Sequence, residues 1–201
     1  MRTQADINAA YEAGRYLYSS FNKNITVTMG VGVAQDLSGL PGNPVAQYYL
    51  GAVGTSTGLY RSTDWGLNHG QNVDTKKYLH TVLLNTVTAM TPIKVRILDY
   101  LMFYPFIGMD TGLQNLTNTI TLPRYAAREG VQMMLVEQNP YTGSAQVQIG
   151  YTNQDGVAGR LTPIIRLNTA TAIGTIATSE RRTLGVTGNF CALQQGDYGV
   201  Q

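Results

Sequence analysis

Two histidines, His69 and His80, one cysteine, Cys191, and a thin scatter of carboxylates make up most of what this chain has for metal or covalent chemistry. Three-histidine zinc coordination is out of reach, and a multi-cysteine site is impossible. A mixed set of His69 and His80 with Asp64 or Asp74 is conceivable, but no pair stands at i, i+4 on an expected helix. A Ser/His/Asp triad needs a serine on a sharp strand-to-helix elbow, and Ser38, Ser56, Ser62 and Ser144 sit in ordinary turn contexts. Glu12, Glu129, Glu137, Glu180, Asp99, Asp110 and Asp155 could supply the two carboxylates of a glycosidase. Nothing in their spacing puts two on one face, and solvated or turn-forming roles account for each. Gly30-Val31-Gly32-Val33-Ala34 follows a strand pattern, yet the residues after it do not open a helix that could hold phosphate. Asp155, in Asn153-Gln154-Asp155-Gly156, offers calcium a single carboxylate, and an Asx-type turn ending in Gly explains the same residues. No catalytic residue, metal or cofactor is therefore expected. Cys191 is expected to be a small buried apolar side chain.

The surroundings of these residues point to partners rather than reactions. Charged residues form 13% of the 201-residue chain, against about 25% in an average soluble domain. Gly (22) and Tyr (13) are plentiful, and Thr, Asn and Gln carry most of the polarity, a mixture that fits pleated strands joined by tight turns. A net charge of +2 is too small for nucleic-acid binding by counterion release, and only Arg181-Arg182 form a basic pair. No stretch approaches roughly 18 consecutive apolar residues, and the start, Met1-Arg2-Thr3-Gln4-Ala5-Asp6, lacks a signal-like apolar run. Neither a membrane nor nucleic acid is an expected partner, and synthesis in a cytoplasm without export is.

The elements fall into an N-terminal arm, residues 1–23, and a β-rich domain, residues 24–201. Thr3 and Asp6 match a capping box, and Ile7, Ala10, Tyr11, Gly14, Leu17, Tyr18 and Phe21 recur at spacings of three and four. The pattern predicts an amphipathic helix over residues 3–22, packed on the sheet or on a neighbouring subunit. From Ile25 the period becomes two, predicting a strand over 25–33; further strands are expected over 45–50, 78–87, 93–102 and 119–122. The apolar run through Ile97, Leu98, Tyr100 and Leu101 predicts burial on both faces. Residues 59–75, with Trp65, read as an ordered surface loop. Residues 130–136 and 145–151 alternate apolar with polar around Asn139-Pro140-Tyr141-Thr142-Gly143, predicting a hairpin, and residues 157–162 extend it to a three-stranded meander. Weaker strands are expected over 164–167 and 172–177. Short strands after one helix predict a mainly β fold, an antiparallel β-sandwich or jelly-roll with an N-terminal amphipathic helix.

Several of these segments together carry a family likeness: Asp99-Tyr100-Leu101-Met102-Phe103-Tyr104-Pro105-Phe106-Ile107, Thr121-Leu122-Pro123-Arg124-Tyr125, Gly130-Val131-Gln132 and Tyr151-Thr152-Asn153-Gln154-Asp155-Gly156-Val157-Ala158-Gly159-Arg160. The chain resembles, from Pro41 through Gln195-Gly196-Asp197-Tyr198-Gly199-Val200, a family of tailed-bacteriophage virion structural proteins. The resemblance implies a β-rich, capsid-associated particle component with no catalytic residues to carry over. Relatives continue past the Gly-Asp-x-Gly-Val stretch, so a further C-terminal region is expected in them. The expected role is a head decoration or cement protein bound to the major capsid protein in the virion, as a symmetric homo-oligomer such as a trimer. A tail, collar or fibre-base component is the alternative in the same particle. A carbohydrate-binding or depolymerising module, using Trp65 beside Asp64, is the alternative from another class. Ile7, Tyr11, Leu17, Tyr18, Phe21, Trp65 and Arg124 are the candidate protein–protein contacts.

Overall fold

The computed structural model describes residues 3–25, 33–59, 79–85, 95–108, 112–143, 145–167, 172–177 and 189–201. Among them the chain forms one helix and short strands paired in antiparallel couples, so the protein is mainly β.

Helix α1 spans Gln4–Glu12, and its start is as expected. Asp6 donates its backbone N–H to the Thr3 hydroxyl, and the Thr3 N–H donates to the Asp6 carboxylate, closing a capping box. Its end is earlier than the expected residue 22. Gly14 N–H donates to Tyr11 O (2.9 Å) and Arg15 N–H to Ala10 O (2.8 Å), with Gly14 at φ 65°. Those two bonds form a Schellman motif, so Gly14, which reads as part of the apolar stripe, is the left-handed residue that stops the helix. No residue of α1 is buried, so its stripe does not pack on the sheet.

β1 (Asn22–Lys23) pairs with β2 (Gly42–Asn43), tying the end of the arm to the body. The strand expected over 25–33 lies mostly outside the described residues, as does the loop expected over 59–75. Residues 45–50 form no ladder, and Tyr49 turns the chain there with φ 48°. β3 (Thr57–Gly58) pairs with β4 (Met102–Phe103), and Leu59 N–H continues the contact to Leu101 O (2.8 Å). Among the described residues 95–102 of the expected strand 93–102, only this end is buried; Val95, Ile97 and Leu98 face solvent, contrary to the expected two-sided burial. Residues 79–85, from the expected strand 78–87, run without ladder, turn or bend and are exposed throughout. The expected strand 119–122 is replaced by a single parallel bridge, Thr55 to Thr117.

The best-formed region is the long hairpin from Ala145 to Leu167. β5 (Gln146–Val147) pairs with β8 (Ile165–Arg166), and β6 (Gly150–Tyr151) pairs with β7 (Arg160–Leu161). The register slips by one residue between the two couples, because Thr162-Pro163-Ile164 face only Gln148 and Ile149. Pro163 offers no N–H, and the strand bulges there. Ile149 N–H then donates to the Thr162 hydroxyl (3.0 Å), while Gln148 Nε2 takes the Thr162 carbonyl (2.9 Å). At the tip Asn153 is the capping residue, not Asp155. Its side-chain oxygen accepts the N–H of Asp155 (3.1 Å) and of Val157 (2.9 Å).

The expected hairpin between 130–136 and 145–151, and with it the meander, does not form. Val131, Met133 and Leu135 carbonyls accept instead from Val200, Cys191 and Ala177. Alternation fixes which side chains face inward, but it does not choose the neighbouring strand. The Tyr141 hydroxyl accepts the Ala145 N–H (2.9 Å) and Leu167 N–H takes the Ala145 carbonyl (2.9 Å), so the groups at the start of the strand are already used. Both segments nonetheless meet through their side chains. Met133, Leu135, Ala145, Val147 and Ile149 pack on buried Ile165, Leu167, Ala177 and Cys191, so the buried apolar reading of Cys191 holds.

A third patch links residues 33–36 and 135–138 through Thr175 and Ile176. Gly174 N–H donates to Glu137 O (2.7 Å) and Glu137 N–H donates to Thr175 O (2.9 Å), with Gly174 at φ 87°. This is a glycine bulge fed by the turn that Thr175 N–H closes on Ala172 O, and a Cβ at 174 would strike the Asp36 carbonyl.

Candidate functional site

Three buried or half-buried polar clusters organise the body, and each is satisfied within the chain. In the first, Asp36 accepts the Tyr49 hydroxyl (2.6 Å), the Ser38 hydroxyl (2.8 Å) and the Ser38 N–H (2.9 Å). Tyr49 is buried, its ring edge-on to Phe103 with centroids 5.2 Å apart. Burial and the Asp36 carboxylate push the Tyr49 phenol well above its usual range, and burial does the same to Tyr100. Both stay protonated at neutral pH. Beside them the Lys23 ammonium donates to the carbonyls of Ser38 (3.3 Å), Leu40 (3.0 Å) and Pro44, with the Phe21 ring 5.5 Å away. Desolvation lowers the Lys23 pKa, and Asp36 opposes that effect. The whole arrangement fastens the loop between Asp36 and Tyr49.

The second cluster is Arg124. Its Nε and Nη2 hold both oxygens of Asp99 (3.0 and 2.6 Å), Nη1 donates to Leu59 O (3.1 Å) and Nη2 also to Tyr100 O (3.1 Å). The guanidinium therefore staples three chain segments together, a geometry suited to a planar fork rather than a point charge. Any contact it makes with another subunit is added to this internal duty.

The third cluster joins residues 151–160 to residues 194–199. Asp197, whose side chain is 3% exposed, accepts from Tyr151 OH (2.6 Å), Asn153 Nδ2 (2.9 Å) and Arg160 Nε and Nη2 (2.8 and 3.1 Å). Hydrogen bonds from Arg160, then Asn153 and Tyr151, hold its carboxyl far below the usual carboxylate range. Gln154 completes the clamp by accepting the N–H groups of Tyr198 (3.1 Å) and Gly199 (3.2 Å). The segment 198–201 is thereby fixed between Gly130-Val131 on one side and Thr152-Asn153 on the other.

Glu137 is the exception. Both carboxylate oxygens are buried without a hydrogen-bond partner, as are both amide atoms of neighbouring Gln138 and the amide oxygen of Gln35. Desolvation pushes the Glu137 carboxyl up to about 7.

The expected contact residues of the arm are accessible. Tyr11, Leu17 and Tyr18 are 65%, 59% and 82% exposed, Ile7 is half-buried, and Phe21 lies half-buried beside Lys23. Tyr16, not singled out by the helical spacing, stacks on Tyr11 with ring centroids 4.7 Å apart. Trp65, and with it Asp64, His69 and Asp74, lies outside the described residues. His80 is exposed and bonds through Nδ1 to the Thr81 hydroxyl (2.7 Å). Among the described residues no group of three or more His, Cys, Asp or Glu could hold a metal ion, and no helix is long and apolar enough to cross a membrane.

The spacing of the sequence does not signal Lys23, Asp36 or Tyr49, which acquire their roles only through neighbours distant in the chain. Asp197 and Arg160 are visible as parts of motifs, without a sign that they meet. No protein-family model, curated protein or solved structure matches the chain.

Proposed function

We propose that this chain is a bacteriophage virion structural protein, a head decoration or cement protein that binds and stabilises the outside of the capsid. The observation that carries the proposal is where apolar side chains and hydrogen-bonding groups lie. The three polar clusters spend their donors inside the chain, whereas large apolar side chains stand exposed along the arm and along residues 79–84 and 95–98. Tyrosines and leucines on such a surface bury area at low conformational cost when a partner covers them.

In this role the protein is not an enzyme and needs no cofactor. Its short antiparallel pairs belong to a β-sandwich or jelly-roll, copies form a symmetric homo-oligomer such as a trimer, and the major capsid protein is the other partner. Binding only to the assembled shell stabilises that shell by mass action. The test is to add purified protein to emptied, expanded capsids and measure both co-sedimentation and the shell's thermal midpoint. Saturable binding that raises the midpoint is expected, with a copy number in the hundreds. No binding, or a few dozen copies confined to one vertex, rejects the decoration role, the second result pointing to the tail or collar.

A further inference from the structure

We propose that the loop 36–49 carries a monovalent-cation site, open to ammonium or potassium, and that Lys23 latches the arm to the body by filling that site with its own ammonium group. The site is independent of the particle role proposed above.

Lys23 Nζ donates to three carbonyl oxygens of one loop, those of Ser38, Leu40 and Pro44. An ammonium group has three donors and no acceptor, so these bonds use all of them. Three carbonyl dipoles aimed at one point repel each other unless a positive charge sits between them. A ring of carbonyls of this kind can replace the water shell of a large, weakly hydrated ion. Contact length decides which ion fits. The Ser38 and Leu40 oxygens lie 3.3 and 3.0 Å from the nitrogen, too far for calcium at about 2.3–2.6 Å or magnesium at about 2.0–2.1 Å, both of which also need more oxygens. Ammonium and potassium, close to each other in size, remain.

The loop keeps its shape through bonds that do not involve Lys23. Asp36 accepts the Tyr49 hydroxyl and the Ser38 hydroxyl and N–H, which closes the loop on itself. Gln47 N–H donates to Ser38 O (3.0 Å), Leu40 N–H to Leu37 O (3.2 Å), and Asp36 N–H ties the loop to Gly174 O (2.7 Å). Desolvation at Nζ weighs against a charge there, and the Asp36 carboxylate opposes it. The arm, by contrast, has little else to hold it. No residue of α1 is buried, and residues 13–20 are exposed. Its further ties among the described residues are the two-residue pair β1–β2, Asn24 N–H to Pro41 O (2.9 Å), Asn43 Nδ2 to Ser20 Oγ (3.4 Å) and the Phe21 ring beside Nζ. An ion that enters the loop only when Lys23 is out shifts the arm toward release, by no more than its own affinity for the empty ring.

The first experiment treats the unsubstituted full-length protein with trypsin, which cuts after both Lys23 and Arg15. Only Lys23 is latched, while Arg15 is exposed whether the arm is held or free. Release of the arm should therefore speed cleavage after Lys23 and leave cleavage after Arg15 unchanged. In about 0.5 M ammonium or potassium chloride the ratio of the two initial rates should be at least about threefold that in tetramethylammonium chloride of equal ionic strength, whose ion is too large for the ring. Equal ratios overturn the latch, because screening alone then explains any release. Lys23→Ala gives the second reading. With its occupant removed, the loop should take the ion directly, and the thermal midpoint should rise saturably by about 2–4 °C in ammonium or potassium chloride relative to tetramethylammonium chloride. A midpoint that does not distinguish these cations overturns the site. If Lys23→Ala does not unfold cooperatively, the tryptic ratio decides alone.

Discussion

The hairpin 145–167 and the segments 79–85 and 95–98 are both built from alternating or apolar β-type sequence, yet they end in opposite states. In the hairpin, Ala145, Val147 and Ile149 point into a core formed by Ile165, Leu167, Ala177 and Cys191, and the polar residues at its tip are clamped by Asp197. In the other two, residues as apolar as Leu83 and Ile97 lie in water and the backbone is unpaired. Hydrophobicity alone does not decide between these outcomes. What differs is whether the same chain supplies the facing surface, and the contrast suggests that stability and association are carried by different stretches.

The largest effect should come from removing an apolar side chain in the first region and the smallest from removing one in the second. Ile165→Ala, at a site 2% exposed, should cost about 2–5 kcal/mol in denaturant unfolding of the isolated chain. Leu83→Ala, at a site 88% exposed, should stay within about 0.5 kcal/mol. A comparable loss at both positions would mean that Leu83 is already covered inside one chain, and the division between the two regions would fail.

How much of this contrast was legible in the sequence depends on the residue. The inward set Ala145, Val147, Ile149 and Tyr151 is readable because burial on one face of a strand imposes period two, and the structure keeps it. The capping box of Thr3 and Asp6 and the turn at Asn153 to Gly156 are readable because their chemistry is local. Partners are not local: nothing in Val131-Gln132-Met133 says that its carbonyls meet Cys191 and Val200 rather than residues 145–151. The meeting of Asp197 with Arg160 is likewise decided by how the terminal strand docks. The exposure of Ile97 and Leu98 is not readable, because an apolar run reports a need for cover without reporting what provides it.

Proton linkage gives a sharper comparison inside the well-packed half, since Glu137 and Asp197 should act with opposite signs in neighbouring pH windows. Glu137 titrates at 4.5 ordinarily and at about 7 when folded. The unfolded chain therefore loses its proton first, and stability declines as pH rises from about 4.5 to 7. The displacement sets a ceiling of roughly 3 kcal/mol, which screening at a half-buried site reduces to about 1 kcal/mol. Glu137→Gln should flatten that decline and be the more stable protein at pH 8. A parallel decline in both proteins would show that Glu137 gains a partner on ionisation. Asp197 has a depressed carboxyl, so its contribution is complete above its ordinary 3.8 and is lost as pH falls below that. Asp197→Asn should start less stable at neutral pH and lose less on acidification.

The most telling test for the exposed half concerns Gly14. Its φ of 65° is costly for any residue with a Cβ, so Gly14→Ala should destabilise the end of α1 by about 1–2 kcal/mol. Because no residue of α1 is buried, that loss should appear as reduced helical ellipticity and faster amide exchange over residues 4–15, without moving the unfolding midpoint of the body. Nine residues make a marginal helix in water, so the paired caps matter most when a partner must find the helix already formed. If the arm docks on the capsid as a helix, Gly14→Ala should therefore weaken capsid binding by on the order of tenfold. Gly14→Asn, which tolerates the left-handed region better, should weaken it less. Equal binding by all three proteins would show that the arm docks unfolded or not at all, and the exposed Tyr11, Leu17 and Tyr18 would lose their place in the interface.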